Sequence, residues 1–240
     1  SGMLIAEYIL KERKATGSMP VNPALVETIV TTDMAKVIAK AYNVKLIEVL
    51  TGFKYIGEQI RLFEENHTYN YVFGLEESYG CLAGTYARDK DACVAVMMLC
   101  EVASWYKNQN MTLWDAMLAM YEEYGYFKEG LETITLKGMD GAAQIKMMME
   151  NARNNPPEKL GDYQVLAVRD YKADTRKDMV TGEVVSTGLP NSNVLYYELE
   201  DNVYDEIFVR GINETNGISS EYIVDFIYNN ITKVETGDKI

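Results

Sequence analysis

Two carboxylates, a hydroxyl and a phenol follow one another at Glu76, Glu77, Ser78 and Tyr79, framed by Gly74 and Gly80. Glu76 and Ser78 are two positions apart, so an extended backbone sends both side chains towards the same side. A carboxylate with a hydroxyl beside it suits vicinal sugar hydroxyls, because the ionised group accepts two hydrogen bonds and fixes the ring. Shortly after comes Arg88-Asp89-Lys90-Asp91. A cation in that stretch meets a phosphate or pairs with its neighbouring aspartates, and spacing alone leaves both uses open. The single histidine, His67, follows Glu64-Glu65-Asn66 and reads as a solvated loop residue. One histidine cannot supply a His-based metal site.

The elements that must position these residues alternate in type. Leu4 to Lys14 carries apolar residues at helical spacing (Leu4, Ile5, Tyr8, Ile9) and ends at the Thr16-Gly17 turn. Ala24 to Val30 is rich in β-branched residues and reads as a strand, after which Thr31-Thr32-Asp33 offers N-cap hydroxyls for a helix through Ala41. Lys45 to Leu50 is the next strand, Thr51-Gly52 breaks it, and Phe53 to Glu65 returns to helical periodicity. Tyr69 to Phe73 is a third strand, and Asp91 to Asn108 and Thr112 to Tyr124 are helices. Strand, short loop and helix in repetition predict an α/β fold with a mostly parallel sheet. Ligands gather at the carboxyl ends of such strands, which here lead into Thr31 to Asp33, Thr51 to Lys54 and Gly74 to Gly80.

Beyond Gly130 the pattern changes. Leu131 to Leu136 reads as a strand, Met139 to Arg153 as a helix, and Tyr163 to Asp170 as an alternating strand beyond the Pro156-Pro157 break. Asp174 to Gly188 reads as a long hairpin or loop turning at Thr181-Gly182. Val194 to Glu200 and Glu206 to Arg210 read as antiparallel strands joined at Asp201-Asn202, and Ser219 to Ile231 as a closing helix capped by Ser219, with an Ile223, Phe226 and Ile227 stripe. These elements predict a smaller α+β domain over residues 130–240, after a first domain over residues 3–129.

The bulk numbers bound the partners. Of 240 residues 48% are hydrophobic and 25% charged, ordinary for a globular protein, while 36 acidic against 23 basic residues give a formal charge of -13. No basic stripe exists to neutralise nucleic-acid phosphates or an anionic membrane, although a small phosphorylated ligand needs only one or two cations. No apolar run approaches the ~18 residues of a membrane span, which predicts none. Cys81, Cys93 and Cys100 lack metal-type spacing. Cys93 and Cys100 stand seven apart in an apolar helical run and are expected on one packed side, as buried free thiols of a reducing cytoplasm. Ser1-Gly2 ahead of Met3 reads as a protease scar.

The order of short motifs points further. Thr51-Gly52-Phe53-Lys54, then Phe73-Gly74-Leu75-Glu76-Glu77-Ser78-Tyr79-Gly80, then Arg88-Asp89-Lys90-Asp91 closely resembles the third domain of the α-D-phosphohexomutases. The likeness is greatest to the bacterial phosphoglucomutase branch and continues through Tyr124-Gly125-Tyr126, Leu136-Lys137-Gly138, Asn155-Pro156-Pro157 and Leu189-Pro190-Asn191-Ser192-Asn193-Val194-Leu195. The resemblance implies a three-layer α/β/α domain with a mixed, mostly parallel sheet, followed by the smaller α+β domain. It also implies a cytoplasmic phosphoglucomutase or phosphomannomutase that interconverts hexose 1- and 6-phosphates through a hexose 1,6-bisphosphate.

In that family a phosphoserine of the first domain carries the phosphoryl group and a Mg²⁺ on aspartates of the second domain offsets its charge. The third domain reads the sugar. Carried over by motif, Glu76 and Ser78 hold the sugar hydroxyls, Lys90 sits by the reacting phosphate or bridging oxygen, and Thr51 and Gly52 line the same cleft. No Ser-His-Asn-Pro-type loop and no Asp-Gly-Asp-type metal loop occurs in the chain, so the resemblance implies that nucleophile and Mg²⁺ ligands are to be expected in preceding domains of the same enzyme. This chain alone is expected to be inactive. In place of the family's phosphate loop in the fourth domain stands Arg210-Gly211-Ile212-Asn213-Glu214-Thr215-Asn216-Gly217, of which only Arg210 matches. The alternatives are a truncated phosphosugar-binding protein without chemistry, and an interaction protein in which the loop residues are vestigial.

Overall fold

Apolar runs followed by a break and an amphipathic stripe become strands packed under helices. The structure is a computed structural model that describes residues 1–161, 163–200, 204–213 and 219–229. The chain divides into two compact units, Ser1–Tyr126 and Phe127–Ile240.

The first unit contains α1 (Gly2–Ala15), β1 (Pro23–Thr28), α2 (Met34–Ala41), β2 (Lys45–Val49), α3 (Phe53–Asn66), β3 (Asn70–Leu75), β4 (Cys81–Leu82), α4 (Ala92–Lys107) and α5 (Leu113–Tyr124). The sheet order is β2-β1-β3-β4, with β1 parallel to both neighbours and β4 antiparallel to β3. In register, Thr28 lies beside Val49 and Glu27 beside Leu75, so the three parallel strands end together. The loops carrying Thr51, Gly52 and Glu76 therefore leave the sheet at one edge.

Successive β1 residues face opposite sides of the sheet. Ala24 and Val26 pack with Phe53, Ile56, Ile60 and Phe63 of α3. α1 packs on α2, α4 and β3, with the predicted Leu4, Ile5, Tyr8 and Ile9 buried. This is the three-layer α/β/α arrangement. Glu7 is buried in the α1 stripe and is satisfied there: the Tyr42 hydroxyl donates to it at 3.0 Å, the Tyr106 hydroxyl at 3.3 Å, and Lys11 pairs with it at 3.0 Å. Without such partners a buried carboxylate would be costly.

One expectation fails in α4. Cys93 and Cys100 are exposed and only Cys81 is buried. The spacing does place Cys93 and Cys100 on one face, but α4 is apolar nearly all round, so periodicity does not select the packed side. The helix buries Val102 and Tyr106.

The second unit contains β5 (Phe127–Lys137), α6 (Gly138–Asn154), β6 (Lys159–Leu160), β7 (Tyr163–Asp170), β8 (Thr175–Asp178), β9 (Val184–Val185), β10 (Val194–Leu199), β11 (Tyr204–Asn213) and β12 (Ser219–Asn229). They form an antiparallel sheet of order β5-β12-β11-β10-β7-β8-β9, with β6 paired to β7. Helix α6 packs against β5, β11 and β12. Met149 joins Val165, Val168, Leu195, Tyr197 and Leu199 in a core beneath it. The Asp174 to Gly188 segment is the expected hairpin. Gly182 turns it at φ 76°, and its N–H donates to the Asp178 carbonyl at 3.0 Å.

The expected closing helix is instead strand β12. Ile223, Phe226 and Ile227 satisfy helical spacing, yet Ser219–Asn229 is dominated by Tyr, Ile, Val and Phe, types that favour a pleated surface. Pairing on both flanks, with β5 and β11, decides the outcome, and Ser219 starts a strand rather than capping a helix. Arg210 to Asn213 continue β11, with Arg210 opposite Val194 and Ile223. The Asp201-Asn202 turn and residues 214–217 of the atypical loop lie outside the described residues.

Candidate functional site

The backbone leaves β3 at Leu75 and returns as β4 at Cys81, and the five residues between form a tight turn. The Glu76 N–H donates to the Gly80 carbonyl at 2.9 Å, closing it. The segment turns rather than extends, so the alternation expected for Glu76 and Ser78 does not apply. Glu76 is buried at 8% exposure, whereas Ser78 and Tyr79 are exposed. Gly80 is what admits the Glu76 side chain: a Cβ there would lie 2.4 Å from Glu76 Oε1 and 2.9 Å from its Cγ and Cδ.

Glu77 anchors the turn to β1. The Thr28 hydroxyl donates to Glu77 Oε2 at 2.9 Å and lies 2.8 Å from the Thr31 hydroxyl. Thr28 ends a strand and carries no motif, so only its place beside β3 reveals its part in the site.

Lys90 reaches the same place from the loop before α4. Its Nζ lies 3.8 Å from Glu76 Oε1, 3.3 Å from Asp89 Oδ1 and 5.8 Å from the centre of the Phe53 ring. The Asp89 carboxyl also accepts the Lys90 N–H at 2.8 Å, and these Lys90 contacts hold it below the usual carboxylate range. Asp91 is engaged elsewhere. It takes the Tyr86 hydroxyl at 2.6 Å and caps α4 through the N–H groups of Cys93 and Val94. Those bonds, the Tyr86 one foremost, lower its carboxyl too. Arg88 is bound to Glu64 at 2.6 Å and to the carbonyls of Thr85 and Ala87, which makes it a strut of the loop.

Two glycines shape the rest. Gly52 precedes α3 at φ 117°, a conformation that L side chains rarely adopt, and open space faces the position its Cβ would take. Its backbone therefore requires glycine where its surroundings do not. Gly57 is the converse: a Cβ would lie 2.2 Å from the Arg88 carbonyl oxygen, so its absence lets the Lys90 loop lie on α3. Thr51 is half-buried beside Gly52. Phe53, the first residue of α3, brings that break to Lys90. The structure thus gathers Glu76, Lys90 and the Gly52 end of α3, and leaves Ser78 exposed on the turn.

Chemically, this is a buried carboxylate with acceptor capacity beside a half-exposed ammonium. A polyol meets the first and an anion the second. Among the described residues no group of three or more His, Cys, Asp or Glu side chains could hold a metal ion, and no helix is long and apolar enough to cross a membrane. The described residues therefore do not fit a Mg²⁺ site.

Residues 1–124 match the family profile of phosphoglucomutase/phosphomannomutase alpha/beta/alpha domain III. A phosphoglucomutase of Staphylococcus epidermidis is 34% identical over 194 residues, covering 81% of this chain and 34% of its own. One from Staphylococcus aureus is 32% identical over 209 residues, covering 87% and 37% respectively. The chain therefore spans about a third of the length of these relatives. In fold it is similar to pp63/parafusin (phosphoglucomutase) from Paramecium in its open form, with a TM-score of 0.61 at 14% identity over 99% of this chain and 38% of that one. The phosphomannomutase-like structure from Thermus thermophilus gives 0.52 at 12% identity, over 92% and 36%.

Proposed function

Since the chain belongs to the phosphoglucomutase/phosphomannomutase family, we propose that it supplies the sugar-reading part of an enzyme that interconverts hexose 1- and 6-phosphates through a hexose 1,6-bisphosphate. The observation that carries this reading is the pair of Glu76 and Lys90, a carboxylate 8% exposed with an ammonium 3.8 Å away. In the proposed complex two adjacent sugar hydroxyls donate to Glu76, Ser78 adds a contact from the turn, and Lys90 turns to the phosphate. Thr51 and Gly52 line the same cleft at the start of α3. A substrate that must bind in two orientations needs a reader for hydroxyls common to both, and a carboxylate accepting two hydrogen bonds meets that need.

The phosphoserine that gives and takes the phosphoryl group, and the aspartates that hold Mg²⁺, are proposed to lie in preceding domains of the same cytoplasmic enzyme. In-line transfer needs both, so this chain alone is expected to bind without turnover.

The test is titration calorimetry of the full chain with glucose 1-phosphate and with inorganic phosphate. Glu76→Gln is expected to weaken glucose 1-phosphate by about tenfold or more, the weight of a charge-assisted hydrogen bond, and not to weaken inorganic phosphate. Lys90→Ala is expected to weaken both. If the unaltered chain binds no glucose 1-phosphate, or if Glu76→Gln weakens both ligands equally, the reading is wrong.

A further inference from the structure

Among the described residues, the non-glycine positions with positive φ are Asn22, Asn43, His67, Tyr79, Asn110 and Asp174. Asn, Asp and His are the types enriched in that region, because their short polar groups bond locally. Tyr79, at φ 68°, is the exception. A bulky side chain is strained there, and glycine would sit without cost.

Burial does not compensate the strain. Tyr79 is 91% exposed, more than any other large hydrophobic residue described. The turn beneath it is nonetheless fixed at three points: the Glu76 to Gly80 backbone bond, the Thr28 to Glu77 hydrogen bond, and the Glu76 side chain seated against Gly80. An aromatic residue thus stands in solvent on a fixed turn, next to Ser78 and three residues from Glu76. A strained, exposed residue on an over-determined turn is where function accounts for the conformation.

We propose that Tyr79 is a specificity-determining residue, an aromatic platform that stacks on the apolar C–H face of the hexose whose hydroxyls Glu76 holds. A pyranose ring presents polar edges and at least one face of C–H groups. Glu76 takes an edge, and an exposed ring on the same turn offers an apolar surface for the face. Tyrosine offers that contact at low entropic cost, and its hydroxyl keeps the exposed tip wet when no sugar is present. The inference rests on the proposed sugar-reading role of the turn and adds the sugar's C–H face as a second determinant.

The experiment measures binding of glucose 1-phosphate and inorganic phosphate to the full chain, with the melting temperature of each variant. Tyr79→Gly is expected to raise the melting temperature by relieving the strained φ, and to weaken glucose 1-phosphate about fivefold while leaving inorganic phosphate unchanged. Tyr79→Phe keeps the face and is expected within twofold of the unaltered chain, while Tyr79→Leu, apolar but without a ring, is expected to behave like the glycine variant. Saturation transfer from aromatic protons to the sugar C–H groups is expected in the unaltered chain and lost in Tyr79→Leu. If Tyr79→Gly binds glucose 1-phosphate as well as the unaltered chain while Glu76→Gln does not, the platform is refuted and the sugar-reading role stands. If neither substitution matters, or the unaltered chain binds no sugar phosphate, both fall together.

Discussion

Replacing Gly57 by alanine sets two ordinary effects against each other within one methyl group. The position is interior to α3, where alanine is favoured over glycine by about 1 kcal/mol of helix propensity. The added Cβ, however, would lie 2.2 Å from the Arg88 carbonyl oxygen, 3.0 Å from its carbonyl carbon and 3.3 Å from its Cα. These are backbone atoms, so no rotamer change relieves the overlap. Ordinary carbon contact needs about 3.5 Å or more, so the Lys90 loop or α3 must shift by roughly 1 Å. Overpacking of this kind costs about 1–3 kcal/mol, which meets or exceeds the propensity gain. The net expectation is a loss of up to about 2 kcal/mol, equivalent to a fall in melting temperature of several degrees for a unit of this size. Lys90 stands two residues from Arg88, so its 3.8 Å approach to Glu76 should open at the same time and phosphate binding should weaken. Differential scanning calorimetry together with a phosphate titration reads both effects. A raised melting temperature with unchanged binding would refute the claim that Gly57 exists to admit the loop.

Other expectations follow from single groups. Glu7→Ala strands the hydroxyls of Tyr42 and Tyr106 and the Lys11 ammonium, and should cost about 3 kcal/mol in urea denaturation, whereas a loss below about 0.5 kcal/mol would contradict the buried network. Cys93 and Cys100 should react quickly with an aromatic disulfide reagent on the native protein, and Cys81 slowly, since burial and then Asp91 raise its thiol pKa; three equal rates would contradict this packing. Burial is the first cause that lifts both the Tyr8 and Tyr42 phenols to about 12, aided by Glu101 at Tyr8 and opposed by the neighbouring Tyr124 phenol at Tyr42. A raised folded value means the native state holds these protons longer than the unfolded one. Their contribution is therefore complete below the ordinary phenol value of about 10 and lost as pH rises from there through about 12. Melting temperature should fall across that window and fall less in a Tyr42→Phe variant; a rise would reverse the sign.

What was legible in the sequence depended on whether one period dominated. Tyr163 to Asp170 alternates over a full strand between clear breaks, and its ends match β7. Lys45, Phe53 and Asp91 mark element starts because turn or capping residues flank them, and the structure places β2, α3 and the α4 cap there. The two-residue strand β4 is too short for any periodic signal, and it exists because the turn from Glu76 to Gly80 folds the chain back onto β3. Ser219–Asn229 offered two periods at once, and long-range pairing with β5 chose between them. Cys93 and Cys100 were misplaced because an evenly apolar helix does not announce which side packs. At the site, residue types flagged Glu76 and Lys90, and the fold brought them to 3.8 Å. The alternation argument for Ser78 failed because it holds only while the backbone is extended. Thr28 and Gly57 act by position alone, one as a hydroxyl at the end of a neighbouring strand and one by lacking a side chain.

The proposed role of Glu76 as the reader of sugar hydroxyls is tested most directly by a crystal structure of this chain soaked with glucose 1,6-bisphosphate. The expected result is a hexose with two adjacent hydroxyls within hydrogen-bond distance of the Glu76 carboxylate and a phosphate on the Lys90 ammonium. A sugar bound away from the turn, with Glu76 still facing only Lys90, would contradict it.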